Sequence, residues 1–101
     1  RNLNLDEART LIEKAHALAP EDAAILDSMG WIAFRQSRLA DAERYLKQAF
    51  DKFQDGEIAA HLGEVLWAQG RKDEARSIWQ TQLKAQPDSD ILKKTIARLE
   101  K

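Results

Sequence analysis

The sequence contains no cysteine, which excludes disulfides, thiol catalysis and cysteine-ligated zinc sites. It has only 4 glycines and 2 prolines, too few for long irregular loops or collagen-like structure. Neither sign of charge dominates, since 16 Lys and Arg stand against 17 Asp and Glu. Nucleic-acid binding needs a basic surface that displaces counterions, so no nucleic-acid partner is expected. No apolar run approaches the roughly 18 residues of a membrane span, so no membrane insertion by this segment is expected.

A short helical pattern recurs three times along the chain. Asp6-Glu7-Ala8-Arg9 returns as Asp73-Glu74-Ala75-Arg76, and Ala40-Asp41-Ala42-Glu43 lies between them. Four places after each shared alanine comes a large apolar residue: Ile12, Leu46 and Trp79. Apolar residues spaced at three and four predict amphipathic helices. Three copies in register indicate an internal repeat of 33 to 34 residues.

A second type of helix precedes the second and third copies. Leu26-x-x-Met29-Gly30 matches Ala59-x-x-Leu62-Gly63, and each is followed by an aromatic residue, Phe34 or Trp67. Glycine within a helix costs about 1 kcal/mol relative to alanine. We therefore expect a neighbouring helix to approach closely at Gly30 and Gly63.

A period near 34 residues built from two short helices resembles the tetratricopeptide repeat (TPR). The matched family positions are the small residue of the first helix, the alanine of the second helix, and an inter-repeat proline at Pro20 and Pro87. Gln54 and Gln82 depart from the pattern. The resemblance implies an all-α, right-handed superhelical solenoid of about six antiparallel helices. The predicted helices span residues 5–18, 22–36, 39–53, 56–69, 72–85 and 89–100.

The expected organisation is a single TPR domain, residues 1–101, taken from a longer protein. Residues 1–20 form the second helix of a truncated repeat, 22–54 and 56–88 are full repeats, and 89–101 is a polar capping helix. The first helix lacks the partner that would cover its apolar stripe. Because repeat units bury their apolar faces against neighbours, self-association through this helix is a further expectation.

The family resemblance also implies a partner-binding groove lined by the first helix of each repeat. The positions carried over are Asp27, Ser28, Trp31, Phe34 and Arg35 in one repeat, and Glu57, His61, Glu64 and Trp67 in the next. Two interpretations remain open for Trp31, Phe34 and Trp67, because tryptophan is common at binding hot spots but aromatic side chains also fill cores. Trp79 is expected in the core.

No catalytic constellation is visible in the sequence, so the segment is predicted to have no enzymatic activity and no cofactor. His61-x-x-Glu64 has the i, i+3 spacing that lets two side chains share a helix face, but dimetal bundles need two such motifs and additional carboxylates. The pair is therefore interpreted as polar groove residues, and no metal site is predicted.

The expected function is a scaffold or adaptor that binds a protein or peptide in the concave groove. Leu26-Asp27-Ser28-Met29-Gly30-Trp31 and His61-Leu62-Gly63-Glu64-Val65-Leu66-Trp67 also resemble the closing repeats of TPR lipoproteins of Gram-negative bacteria. That likeness implies a periplasmic adaptor at the outer membrane, serving a protease or envelope assembly. The alternatives are a repeat segment of a cytoplasmic regulator and an accessory region of an enzyme whose catalytic domain lies elsewhere.

Overall fold

The structure, a computed structural model, describes residues 5–18 and 22–100, and within these ranges every regular element is a helix. The predicted all-α fold is confirmed. Residues 1–4, Pro20 and residue 101, which entered the predicted organisation, lie outside the described residues. The helices are α1 (Leu5–Leu18), α2 (Ala23–Arg35), α3 (Leu39–Lys52), α4 (Gly56–Ala68), α5 (Lys72–Ala85) and α6 (Asp90–Leu99).

The first helix of each repeat, and α6, begins with a side-chain cap. The side chains of Asp22, Asp55 and Ser89 accept hydrogen bonds from backbone amides in the first turns of α2, α4 and α6. Such caps satisfy amides that have no partner within the helix. The predicted ends at residues 22 and 89 are thus cap residues.

The second helices start differently. α3 and α5 follow tight turns in which Ser37 and Gly70 have positive φ, at 63° and 81°. The next residue in each case is an arginine, which pairs with an acid in the first turn: Arg38 with Asp41 and Arg71 with Glu74. Arg71 also reaches back to Glu43 of the preceding repeat at 2.8 Å. The hydrogen bond that Arg71 donates to Glu74, followed by the one that it donates to Glu43, raises the pKa of Arg71.

The helices form two layers around a core centred on α4. α2 packs against α3, α4 packs against α5, and α2, α4 and α6 contact one another in sequence. α4 carries the most buried residues, including Ala59, Leu62 and Leu66. Across the described part of the chain, no helix is long and apolar enough to cross a membrane. The outward side of α1 leaves Leu11 and Leu18 exposed.

Gly30 and Gly63, which lie inside α2 and α4, are at close helix crossings, as predicted. A Cβ on Gly30 would lie 2.5 Å from Leu46 Cγ, and a Cβ on Gly63 would overlap the indole of Trp79. Leu46 and Trp79 are the large apolar residues of the second helices and are fully buried. The recurring spacing of the two helix types thus has a packing basis: the space left by each glycine is filled by Leu46 or Trp79 of the following helix.

The two glutamines that depart from the repeat pattern contact each other. Gln82 is buried, and its Nε2 donates to the backbone oxygen of Gln54 at 3.2 Å and to Gln86 Oε1 at 2.7 Å. A buried amide must be hydrogen-bonded to avoid a desolvation penalty. Gln82 thus links the end of α5 to the loop before α4.

Replacing Gly63 with alanine tests the crossing. In an exposed helix the change would stabilise by about 1 kcal/mol. Here the rigid indole of Trp79 cannot retreat, so we expect a loss of about 2 kcal/mol or more, measured by urea unfolding. Gly70→Ala is the control: it meets no neighbouring atom within 4 Å and should lose about 1 kcal/mol through its positive φ alone. A Gly63→Ala variant as stable as the parent would contradict this packing.

Candidate partner-binding face

The side chains predicted to line the groove lie on α2 and α4, the inner layer of the solenoid. Trp31 stacks on Phe34 with ring centroids 5.0 Å apart, and on His61 of the next repeat at 4.2 Å and 23°. Trp31 is partly buried, so one portion of the indole remains accessible. We name the surface formed by Asp27, Trp31, Phe34, Glu57 and His61 the α2–α4 face.

Asp27 and His61 form a polar link between the two repeats. His61 Nδ1 lies 2.8 Å from Asp27 Oδ1, and the side chains are only 15% and 12% exposed. The residues are 34 positions apart, so the contact joins the first helices of two successive repeats. Asp27, assigned to the groove from the sequence, is buried and pairs with His61.

An open cleft of about 230 Å³ lies between the first turns of α2 and α4, beside this link. Phe53 lines it and is 60% exposed, an unusual position for a large apolar side chain. The full lining is Ala24, Asp27, Ser28, Phe53, Asp55, Glu57 and Ile58. Sequence reasoning did not include Phe53 and Asp55, because the family positions considered lie only on first helices. An aromatic residue at the end of a helix and next to a polar loop was the available signal.

Glu64 lies on α4 but faces the capping helix. Its carboxylate accepts two hydrogen bonds from the guanidinium of Arg98, at 2.6 and 3.0 Å. This two-point contact raises the pKa of Arg98, chiefly through the hydrogen bond to Glu64. Glu64 thus joins α4 to α6, and the structure separates it from the Asp27–His61 link. The pairing of His61 with Glu64 considered from the sequence does not form.

Trp67 and Arg35, also predicted for the groove, lie in the last turns of α4 and α2. Trp67 stacks on buried Trp79 at 5.7 Å, and the cations of Lys72 and Arg76 lie over its ring at 4.9 and 5.2 Å. Trp67 is therefore partly buried against the core. Trp79 is fully buried, as expected. Arg35 is exposed in the last turn of α2.

Helix pairs stacked with a fixed offset of 33 to 34 residues define a TPR solenoid, and comparison with known proteins agrees. The tetratricopeptide-repeat family matches residues 28–90, more than half of the chain. The chain belongs to this family. TPR proteins are in general protein-interaction scaffolds without catalytic activity.

Relatives and solved structures share the same repeat. A TPR repeat-containing protein of Pseudomonas aeruginosa is 64% identical over 99 residues, which is 98% of this chain and 17% of the relative. The human tetratricopeptide repeat protein 7A is 31% identical over 90 residues, 88% of this chain and 10% of that protein. A crystal structure of a thermophilic TPR protein from Thermus thermophilus superposes with a TM-score of 0.85 at 26% identity, covering 94% of this chain and 49% of that one.

Truncation of Trp67 tests whether this side chain stabilises the core or only lines the groove. Because Trp67 covers Trp79, we expect Trp67→Ala to cost about 2 kcal/mol or more in the free energy of unfolding. Trp31→Ala removes a side chain on the open face and should cost clearly less. Chemical denaturation of the two variants side by side measures the difference. Equal losses would mean that Trp31 is as much a part of the core as Trp67.

Proposed function

We propose that the α2–α4 face is the surface with which this TPR segment binds a segment of a partner protein, and that the segment itself performs no catalysis. The observation that carries the proposal is the position of Trp31. Its indole is held between Phe34 and His61 and remains partly accessible. Tryptophan in this situation binds at little entropic cost, because its orientation is already restricted before the partner arrives.

The cleft beside the Asp27–His61 link supports the proposal independently. It brings an exposed aromatic ring, that of Phe53, together with three acidic residues at the start of α2 and α4. An exposed apolar side chain bordered by polar groups is typical of interaction surfaces. A partner that follows the groove from Trp31 to Phe53 would contact both repeats.

We further propose that the whole protein acts as an adaptor on the periplasmic side of the outer membrane. Support comes from the likeness of residues 26–31 and 61–67 to Gram-negative TPR lipoproteins, and from the relative in Pseudomonas aeruginosa, a Gram-negative bacterium. Fractionation of cells that express the tagged full-length protein tests the location. Recovery in the cytoplasmic fraction would favour the regulator alternative.

The binding face can be located before its partner is known. A photo-crosslinking amino acid at Ser28, in the cleft, should capture a partner that mass spectrometry then identifies. The same amino acid at Gln48, exposed on α3, is the control and should capture much less. Stronger capture at Gln48 would move the interface to the outer layer.

The Trp31→Ala substitution then measures the contribution of the indole. With the purified partner we expect Kd to rise about thirtyfold, since a hot-spot tryptophan contributes about 2 kcal/mol or more. Leu11→Ala, a truncation of an exposed apolar side chain on α1, is the matched control and should leave Kd within about twofold of the parent. If both variants bind like the parent, the α2–α4 face is not the interface. Circular dichroism must show that Trp31→Ala remains folded.

A further inference from the structure

Three potential metal ligands converge on the α2–α4 face. Asp27, Glu57 and His61 each present one ligand atom, and these atoms all lie within 4.8 Å of one another. Asp27 and His61 are largely buried, whereas Glu57 is exposed. We call this group the Asp–Glu–His cluster. It differs from the pair considered from the sequence, because Glu64 is occupied by Arg98.

The helix geometry explains why the three residues meet. Glu57 and His61 are four positions apart on α4, so they project from the same face of the helix. Asp55 caps α4 through the backbone amide of Glu57 and fixes the first turn from which Glu57 projects. Asp27 reaches the same point from α2, where it directly precedes Ser28, the residue equivalent to His61 one repeat earlier.

The donor set matches the chemistry of a first-row transition ion. A neutral imidazole and carboxylate oxygens are ligands for Zn²⁺, and three protein ligands leave a coordination position for water or another donor. The imidazole is already oriented, because Trp31 stacks on one side of it. A cation here would also offset the two carboxylates that the fold places beside each other.

Binding of a metal ion would require only small changes in the distances between the three ligand atoms. With metal–ligand bonds of about 2.0 Å, ligand atoms around a tetrahedral ion are about 3.3 Å apart. The His61–Asp27 contact of 2.8 Å would open by about half an ångström, and Glu57 would move inward, which is a rotamer change for an exposed side chain. The ion would replace the direct hydrogen bond between these two atoms.

We propose that Asp27, Glu57 and His61 form a binding site for a divalent transition-metal ion, with Zn²⁺ as its test ion. The site stands independently of the proposed partner binding, because it is defined by the geometry of this chain alone. Its coordination sphere is open on the solvent side of the α2–α4 face, where Glu57 lies.

Titration of the full, chelator-treated chain with Zn²⁺ alone tests the site. Calorimetry should show one equivalent of Zn²⁺ bound, and Co²⁺ should give visible absorption bands of a low-symmetry site. Glu57→Gln keeps the shape of the side chain but removes its charge, and should weaken Zn²⁺ binding by about tenfold or more. His61→Gln should abolish stoichiometric binding.

The second histidine supplies the matched control. His16 lies edge-on to Tyr45 at 6.0 Å, away from the cluster, so His16→Gln should bind Zn²⁺ like the parent. Because Glu57 is exposed, Glu57→Gln should melt like the parent without metal, which separates loss of a ligand from loss of folding. The proposal is overturned if the parent binds no stoichiometric Zn²⁺, if Glu57→Gln retains full affinity, or if His16→Gln removes binding. In those cases His61 and Asp27 form a structural hydrogen bond only.

Discussion

The close crossing of α4 and α5 is the contact on which the rest of the packing depends. Trp79 is fully buried, and its indole occupies the space that a side chain at residue 63 would fill. α4 also contacts α2, α3 and α6, so the distance fixed at this crossing determines where the preceding repeat and the capping helix can lie. Since protein interiors are close packed, a shift here would be transmitted to the α2–α4 face.

Helix identity and order could be predicted from the sequence because they depend on local signals. The spacing of Ala8, Ala42 and Ala75 established the repeat, and Gly30 and Gly63 predicted the crossings. The predicted helix ends exceeded the observed ones mainly at cap residues such as Asp22 and Ser89. These residues accept helix hydrogen bonds through their side chains and carbonyls, although their backbone torsion angles are extended. Pattern alone does not separate a cap from a first turn.

The candidate site was less predictable, because its contacts join residues that are one repeat apart. Sequence reasoning paired His61 with Glu64 on one helix, whereas each residue finds its partner on a neighbouring helix: Asp27 for the first and Arg98 for the second. A one-dimensional pattern gives the face on which a side chain lies but not the partner it selects. The same limit applied to Trp67, whose equivalence to Phe34 did not reveal that Trp79 stands beneath it.

Two polar contacts join successive inner helices of this solenoid. Asp27 with His61 and Glu64 with Arg98 tie successive inner helices at the same 34-residue offset, while the apolar core lies behind them. An ion pair with an exposed member is weak and is screened by salt, and Arg98 is 54% exposed. The contact between α4 and α6 is therefore a junction whose strength depends on the salt concentration. We expect α6 to detach more readily at high ionic strength, while the apolar core behind it keeps α4 and α5 in place.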